Sequence, residues 1–530
     1  MLADAIARGL AAAGSRVVYG LPGGGNNLEV VGACERAGLR FALVHTESAA
    51  AIMAGVDGEL TGAPGACVVT RGPGLASAVN GVAQAQLDRQ PMLLISDAVP
   101  FSDRARVSHQ RLDQDALLRP VTKWSASIGA DEADEAVAAA LRIACEEPQG
   151  PVHLAFTPDA PRPSLPSPAS APGRGDVAAA VRLLATCERP VFALGVGARA
   201  ASPALRRLLA GAPWPVLTTY KAKGLVPERS DNAAGLLTGA TIEAPVLAGA
   251  DLIIGVGLDP VELIPAPWPY RAPVLALAES LLADAYLHPA VKLAGPLEEL
   301  LELVSAHLSS GGGRAPWRAR RLRGDDSLRV PTSGLAPHEV VDVARARAPA
   351  GTIATIDAGA HMLVAMPLWE VDKPGEALIS SGLATMGFAL PAAIAAAIAR
   401  PDGHVLCLTG DGGLGMALAE LETLVRLELA VVVVVFNDRA LSLIEIKQAA
   451  AGHGGSGAVR YGATDFAAVA RAVGMPGRRV DDAQALAEVL DEAFRRRGPS
   501  LVDAVVDPSG YRGVLEATRG GARRGGACTA

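Results

Sequence analysis

Short runs of apolar, often β-branched residues alternate along the chain with longer Ala-rich stretches. The first third contains RVVYG, FALVH, GACVVT and PMLLIS, the middle third PVFALGVG, PVLTT, DLIIGVG and PVLALA, and the last third TIATID, HVLCLTGDG, AVVVVVFND and PSLVDAVVD. Continuous apolar strands separated by helices are typical of parallel sheets that are covered on both faces. The pattern predicts an α/β protein with three consecutive doubly wound parallel-sheet domains.

Two stretches without apolar periodicity divide the chain. Residues 160–176 are rich in Pro, Ser and Gly, and residues 308–334 are rich in Gly and Arg, as linkers often are. They predict domains at 1–160, 177–307 and 335–515. The last residues, 516–530, are expected to be disordered.

Composition and charge argue against several classes of protein. Of the 530 residues half are apolar, 19% are charged and the net charge is −7, which gives no case for binding nucleic acid or a membrane surface. The six cysteines lie far apart without Cys-x-x-Cys spacing, which indicates neither a zinc site nor a disulfide framework. The first residues lack the basic segment of a signal peptide, and no apolar run approaches the roughly 20 residues of a membrane span. We predict a cytoplasmic protein.

Polar residues follow two of the apolar runs in the last third. The tripeptide GDG at 410–412 ends one run, residues 413–426 are expected to form a helix, and the pair ND at 437–438 ends the next run. Since neighbouring parallel strands end at one edge of a sheet, we expect Asp411 and Asn437 to lie close together. A carboxylate and an amide oxygen suit a hard cation such as magnesium, and glycines let backbone amides approach a diphosphate. A lone GDG would indicate only a tight turn, whereas the two motifs together predict a metal and diphosphate site.

Longer motifs resemble a known family. ISSGLATMGFALPAA at 379–393 is similar to a motif of acetolactate synthases and related decarboxylases. PGGGNN, HTESAAAIMAG and VVTRGPGLASAVNGVAQAQLDRQPMLLIS resemble the first domain of that family, and KAKGLVPE resembles its middle domain. The likeness covers about residues 1–510. The chain therefore resembles thiamine-diphosphate-dependent enzymes that act on 2-oxo acids, most of all the acetolactate synthase large subunit.

This resemblance implies a pyrimidine-binding first domain, a central Rossmann-like domain and a diphosphate-binding last domain, with thiamine diphosphate and Mg²⁺ as cofactors. It implies that the metal ligands are Asp411, Asn437 and the backbone carbonyl of Arg439. It assigns cofactor contacts to Pro22, Gly72, Gly359, His361, Ala384, Met386, Gly410, Gly412 and Gly413. A buried methionine is usually core filling, but Met386 matches the residue that holds the cofactor in its bent shape.

Glu47 matches the catalytic glutamate of the family. In the family this carboxylate bonds a ring nitrogen of the cofactor's pyrimidine and promotes the tautomer that removes a proton from the reactive thiazolium carbon. Without the other motifs, Glu47 would be interpreted as a surface residue at a helix start. The implied enzyme is a lyase or transferase. It would decarboxylate a 2-oxo acid and release an aldehyde, or join the resulting carbanion to a second carbonyl compound.

Several residues depart from the acetolactate synthase pattern. Glu445 and Lys447 stand where a Trp and a Gln are usual, and Arg71 stands at a usual Ser. The residues that we expect near the substrate are Asn26, Arg71, Gln110 and Glu445. Either Gln110 or Gln114 matches a glutamine that relatives place near the cofactor. These departures favour a decarboxylase or carboligase with a different substrate.

Two other interpretations stay open: a true acetolactate synthase, and a catalytically silent scaffold or regulatory homologue. The joint presence of Glu47, Asp411 and Asn437 argues against the silent homologue. LGVGA and IIGVG in the middle domain leave FAD or ADP binding undecided, because Gly-x-Gly after a strand is often only a tight turn. The resemblance also implies a dimer or tetramer in which Glu47 and Asp411 of one site come from different chains.

Overall fold

Three parallel six-stranded sheets follow one another along the chain, which confirms the predicted α/β fold class. The structure is a computed structural model that describes residues 2–167, 175–264, 266–280, 287–308, 326–453 and 457–520. Each of the apolar runs named above forms a strand.

The first sheet has the strand order β2-β1-β3-β4-β6-β5. Its strands are β1 (Val17–Leu21), β2 (Arg40–Leu43), β3 (Gly65–Val69), β4 (Met92–Asp97), β5 (Trp124–Ile128) and β6 (Pro151–Phe156). The helices of this region are α1 (Leu2–Ala12), α2 (Asn27–Arg36), α3 (Glu47–Thr61), α4 (Pro73–Leu87), α5 (Gln114–Leu118) and α6 (Ala133–Cys145). Strands β3, β4 and β6 are buried along their whole length, as expected for the interior of a covered parallel sheet.

The second sheet has the strand order β12-β11-β10-β7-β8-β9. Its strands are β7 (Pro190–Leu194), β8 (Val216–Thr218), β9 (Ala233–Leu236), β10 (Leu252–Val256), β11 (Val274–Ala278) and β12 (Val291–Ala294). The accompanying helices are α7 (Val177–Thr186), α8 (Ser202–Leu209), α9 (Ala244–Leu247) and α10 (Leu297–Leu308).

The third sheet has the strand order β14-β13-β15-β16-β18-β17. Its strands are β13 (Ile353–Ile356), β14 (Ala377–Ile379), β15 (Val405–Gly410), β16 (Val431–Asn437), β17 (Gly477–Val480) and β18 (Ser500–Val505). The helices of this part of the chain are α11 (Pro337–Arg347), α12 (Met362–Leu368), α13 (Ala389–Ala399), α14 (Asp411–Ala417), α15 (Glu420–Arg426), α16 (Ser442–Ala450), α17 (Phe466–Ala472), α18 (Ala483–Arg496) and α19 (Tyr511–Arg519).

The prediction of one helix over 413–426 is wrong. The segment contains α14, which already begins at Asp411, then a turn, and then α15 from Glu420. The glycines of GDGGLG weaken helix propensity in the first piece. Side-chain contacts of Glu420, described below, fix the start of the second.

Residue contacts group the chain into two compact units. Unit 1 comprises Met1–Ala169, Gly382–Val405 and Gly415–Val431. Unit 2 comprises Ser170–Ser381, Leu406–Leu414 and Val432–Ala530. Unit 1 therefore joins the first sheet to α13 and α15, and α13 packs against α3.

The predicted domain boundaries stay predictions, because much of both linkers lies outside the described residues. At the end of the described chain, α19 continues to Arg519, beyond the predicted boundary at 515, and residues 521–530 lie outside the described part. Among the helices that the structure describes, none combines the length and apolar character needed to cross a membrane.

Candidate active site

Asp411 and Asn437 lie at the carboxyl ends of two neighbouring strands of the third sheet. Asp411 directly follows β15 and begins α14, and Asn437 is the last residue of β16. Their exposed fractions are only 7% and 2%. In parallel α/β sheets this edge is where ligands bind.

Hydrogen bonds fix the orientation of the Asn437 amide. Its Nδ2 donates to Asp503 Oδ1 at 2.8 Å and to the Thr464 carbonyl at 3.1 Å. Asp503 is fully buried on β18, the strand beside β16. Because both hydrogens of the amide nitrogen are used in these two bonds, Asn437 Oδ1 is the atom left to bind a cation.

Negative charge accumulates beside this amide. Asp411 Oδ1 accepts a hydrogen bond from Gly412 N at 2.6 Å, and its Oδ2 accepts one from Arg439 N at 2.5 Å. Burial raises the pKa of the Asp411 carboxyl, and burial together with the charge of Asp411 raises that of Asp438 to about 6. Neither carboxylate has an ion-pair partner within the described ranges, so a cation would compensate charge that the chain leaves uncompensated.

Arg439, the predicted backbone ligand, follows in a left-handed conformation with φ 63°. Its carbonyl oxygen accepts a hydrogen bond from Tyr461 N at 2.8 Å, which leaves it one lone pair. No cluster of three or more His, Cys, Asp or Glu side chains suited to a metal occurs in the described part of the chain. The donors at this edge therefore fit magnesium only if oxygens of a ligand or of water complete the coordination shell.

His361 carries an unpartnered nitrogen beyond the end of β13, the neighbour of β15. Its Nε2 is buried without a hydrogen-bond partner among the described residues, and burial lowers the pKa of the imidazole to about 4. The ring stacks on Phe436, with centroids 5.1 Å apart. A Cβ atom on Gly359 would lie 2.8 Å from the ring, and one on Gly410 would lie 3.4 Å from it. An orphaned buried nitrogen is costly, and a phosphate group would give the protonated ring a partner.

Gly413 lies against a buried carboxylate. A Cβ atom here would lie 2.3 Å from Asp357 Oδ2, which also accepts a hydrogen bond from Thr409 Oγ1 at 2.9 Å. Only glycine therefore allows this start of α14 to approach the carboxyl end of β13.

Glu47 is the first residue of α3 in unit 1 and is half-buried. Thr46 caps the helix, since its Oγ1 accepts a hydrogen bond from Ala49 N at 3.2 Å. Glu47 Oε1 lies only 3.1 Å from where a Cβ atom on Gly74 would be, so the carboxylate rests over the start of α4. Its position suits a proton-transferring group, because the carboxyl packs over Gly74 and the residue stays partly accessible.

Sequence models of thiamine pyrophosphate enzymes match the chain in three places. The N-terminal TPP binding domain matches residues 1–117, the central domain 177–275, and the C-terminal TPP binding domain 357–504. The chain belongs to the thiamine pyrophosphate enzyme family. The predicted resemblance is confirmed.

Curated relatives of similar length match almost the whole chain. The acetolactate synthase of Bacillus subtilis is 28% identical over 93% of this chain and 90% of its own length. The catabolic acetolactate synthase of Raoultella terrigena is 29% identical over 95% of each chain. A probable 2-ketoarginine decarboxylase of Pseudomonas aeruginosa is 28% identical over 94% of this chain and 93% of its own length.

In this thiamine pyrophosphate enzyme, two glutamines of unit 1 have different surroundings. Gln114 is buried, and both polar atoms of its side chain have partners: Ser96 Oγ donates to its Oε1 at 2.8 Å, and its Nε2 donates to the Asp97 carbonyl at 3.0 Å. Gln110 is exposed and lies against Gly72, where a Cβ atom would be 2.9 Å from it. The geometry favours Gln110 as the residue that faces a ligand.

Arg71 and Asn27, the second asparagine after PGGG, meet at the buried carboxylate of Asp97. Asp97 Oδ1 accepts a hydrogen bond from Arg71 N at 2.8 Å, and its Oδ2 lies 3.6 Å from Arg71 Nη1. Asn27 Nδ2 reaches the same carboxylate at 3.5 Å. Asn26 is half-exposed at the start of α2 and does not cap that helix through its side chain. Asn27 and Arg71 are thus joined within unit 1, while Asn26 and Pro22 lie on the same loop after β1.

Two remaining predicted contacts lie in the loop before α13. Ala384 has φ 52° and is exposed, and Met386 is half-buried rather than part of the core, which argues against simple core filling. The loop is fastened at Gly382 N, which donates to Asp88 Oδ1 at 2.8 Å. In unit 2, Glu445 lies on α16 and forms an ion pair with Arg460 at 2.5 Å.

In the glycine-rich loop after β7, the amides of residues 195–198 are all bonded within the described part of the chain. Val196 N donates to Glu262 Oε2 at 2.9 Å, and Gly197 N donates to the Gly257 carbonyl at 2.9 Å. Gly195 N and Ala198 N also bond to backbone carbonyls. Glu262 and the Gly257 carbonyl thus already accept hydrogen bonds from amides that a dinucleotide phosphate would use as donors.

Three supporting residues are absent from the sequence-based prediction: Asp357, Glu420 and Asp503. Asp357 directly follows strand β13, and Asp503 lies within strand β18; both are fully buried. A carboxylate next to or within an apolar run is unusual, so the sequence alone could have indicated both residues. Glu420 begins an amphipathic helix and gives no comparable signal.

Proposed function

We propose that the enzyme decarboxylates a 2-oxo acid and either releases an aldehyde or forms a carbon–carbon bond with a second carbonyl compound. Thiamine diphosphate, when bound, supplies the nucleophilic carbon and accepts the electrons left by carbon dioxide. The observation that carries the proposal is the buried Asp411–Asn437 pair, whose negative charge is uncompensated, together with the unpartnered Nε2 of His361 in the same unit.

Each residue has a defined task in this proposal. Asp411 and Asn437 hold magnesium, and His361 donates to the diphosphate once its ring is protonated. Because burial lowers the pKa of His361 to about 4, the protein would bind a proton together with the anionic cofactor at neutral pH. Glu47 bonds the pyrimidine ring nitrogen and moves a proton there.

The substitution Glu47→Gln tests the catalytic part. It keeps the size of the side chain but cannot transfer the proton, so turnover is expected to fall by about 10²–10⁴-fold. Cofactor affinity should change little, since the metal and diphosphate contacts remain. The measurement is hydrogen–deuterium exchange at the reactive carbon of bound thiamine diphosphate without substrate, with Glu29→Gln as a control on another helix of the unit. Exchange at the wild-type rate would remove Glu47 from this role.

The relatives support acetolactate synthesis from pyruvate as a second candidate. A screen of 2-oxo acids, including pyruvate and 2-ketoarginine, for carbon dioxide release with added cofactor and magnesium identifies the substrate, and analysis of the product separates the two candidates. Acetolactate from pyruvate would establish a transferase, and an aldehyde would establish a lyase. No carbon dioxide from any substrate would favour the catalytically silent homologue.

We also propose that the enzyme works without FAD, because the amides of 195–198 are already bonded and Glu262 lies against them. The purified protein should lack flavin absorbance. A cytoplasmic location stays a prediction.

Assembly in which two subunits share each site is proposed from the family. Mixing Glu47→Gln with Asp411→Ala subunits should then restore part of the activity in hybrid dimers. Verified hybrids without activity would oppose it.

A further inference from the structure

The turn that leads into Glu47 is bonded to a carboxylate from a distant part of the chain. Glu420 Oε1 accepts hydrogen bonds from His45 N and from Thr46 N, both at 3.1 Å. Glu420 begins α15 and is fully buried within unit 1. We infer that Glu420 is a positioning residue for Glu47, an inference that rests on the catalytic role proposed for Glu47.

The turn needs an acceptor from outside the sheet. Strand β2 is an edge strand that ends at Leu43, and Val44 N still bonds to the Gly20 carbonyl of β1. The next two N–H groups have left the sheet and precede the first turn of α3. Both N–H groups bond instead to the fully buried carboxylate of Glu420, so the position of Glu420 helps to fix the path of the chain here.

Glu47 is therefore fixed from both sides. Before it, the N–H of Thr46 is held by Glu420, and after it Ala49 N bonds to the Thr46 side chain. The Glu47 carboxylate lies tightly over Gly74, so a small shift of the turn displaces it. Misplacing a catalytic group by about 1 Å can slow a reaction by about 10²-fold.

Glu420 is itself held in place. Its Oε2 accepts a hydrogen bond from Thr423 Oγ1 at 2.8 Å, one turn along α15. Helix α15 also packs against α13, which in turn packs against α3. Both oxygens of Glu420 thus have partners, and the carboxylate faces the catalytic turn with little freedom.

The same helix supplies a matched control. Glu422 Oε2 contacts His45 Nε2 at 2.8 Å and also bonds to Arg426. Glu422 and His45 are about equally exposed, at 43% and 42% of their side chains. Glu422 thus contacts the same turn through an exposed side chain, whereas Glu420 binds two backbone N–H groups of the turn through a fully buried side chain.

The test compares Glu420→Ala, Glu420→Gln and Glu422→Gln at saturating magnesium and thiamine diphosphate. The readout is hydrogen–deuterium exchange at the reactive carbon of the bound cofactor, measured without substrate over a range of pH. We expect Glu420→Ala to exchange about 10²-fold more slowly. Glu420→Gln, whose oxygen can still accept both N–H groups, should recover most of the rate, and Glu422→Gln should match the wild type.

The outcomes separate this inference from the proposed function. A wild-type exchange rate in Glu420→Ala, even with a lower melting temperature, would overturn the positioning role and leave Glu420 a structural residue. If Glu420→Ala does not fold, Glu420→Asp replaces it with the same expectation, because the shorter carboxylate cannot hold both N–H groups. If Glu47→Gln itself exchanges normally, the proposed role of Glu47 fails first.

Discussion

Two glycine-rich turns of unit 2 follow parallel strands in the same way but use their polar groups differently. In the turn after β7, Gly195-Val196-Gly197, the amides are bonded to Glu262 and to backbone carbonyls. In the turn after β15, Gly410-Asp411-Gly412, a carboxylate lacks an ion-pair partner within the described residues. A similar sequence pattern thus produces a closed turn after β7, whose amides are bonded, and an open turn after β15, whose carboxylate could bind a cation.

Close approach explains the glycines in both places. A Cβ atom on Gly195 would lie 2.4 Å from the Gly257 carbonyl, and one on Gly413 would lie 2.3 Å from Asp357 Oδ2. A glycine at such a position therefore shows only that another group of the protein approaches the backbone closely. Whether a turn can bind a phosphate depends on which N–H groups and charges are left without partners.

The largest expected difference between the turns comes from Asp411→Ala. In the proposed site Asp411 would be a magnesium ligand, so without its carboxylate the affinity for thiamine diphosphate should fall by about 10³-fold. Calorimetric titration in the presence of magnesium measures it. Glu262→Gln removes a carboxylate from the closed turn and serves as the control, with unchanged affinity expected. Equal affinities in all three proteins would contradict the assignment of the open turn.

A smaller effect is expected from Asp503→Asn, which weakens the support of the Asn437 amide. Changes to residues that orient metal ligands typically cost about 10–100-fold in metal affinity. The measurement is the magnesium concentration that gives half-maximal cofactor binding. Asp465→Asn, an exposed cap of α17, is the matched control. If both variants need the same magnesium as the wild type, Asp503 does not orient the ligand.

For the closed turn we expect an effect on the free energy of unfolding and not on cofactor affinity. Burial raises the pKa of Glu262 to about 7 from an ordinary value of 4.5. The folded protein thus keeps a proton that the unfolded chain loses, so this stabilisation is complete below pH 4.5 and is lost as the pH rises through 7. The difference corresponds to about 3 kcal/mol.

Glu262→Gln should remove this part of the pH dependence. Urea unfolding at pH 5 and pH 8 measures it, and the wild type should lose about 2.5 kcal/mol more than the variant between these values, because a small part of the effect is already lost at pH 5. The same loss in both proteins would show that Glu262 does not titrate as described.

The sequence predicted most interior strands but few of the edge strands. The apolar runs give β15 and β16, whose burial on both faces demands continuous apolar residues. The prediction lacks the edge strands β5, β9, β12, β14 and β17. Strand β17, for example, carries two exposed arginines, because an edge strand is partly solvated. Buried β6 is missing as well, although its pattern PVHLAF is apolar.

The candidate site divides in a similar way. Asp411 and Asn437 were predictable because their positions follow from strand ends in one sheet. The contact of Glu420 with the turn at His45 joins residues 375 positions apart, and no local pattern encodes it. Orphaned atoms such as His361 Nε2 also become visible only when the packing around them is known.

The discontinuity of unit 1 has a consequence for biosynthesis. Its first segment ends at Ala169, but α13 and α15 are translated only by residue 431. At roughly 5–20 residues per second, the ribosome needs on the order of tens of seconds to add the intervening chain. During that time the nascent first sheet lacks the helix that covers α3, whose Ala49–Gly58 stretch is buried in the finished protein. We expect a chaperone that binds apolar helix surface to act on the nascent chain in this interval.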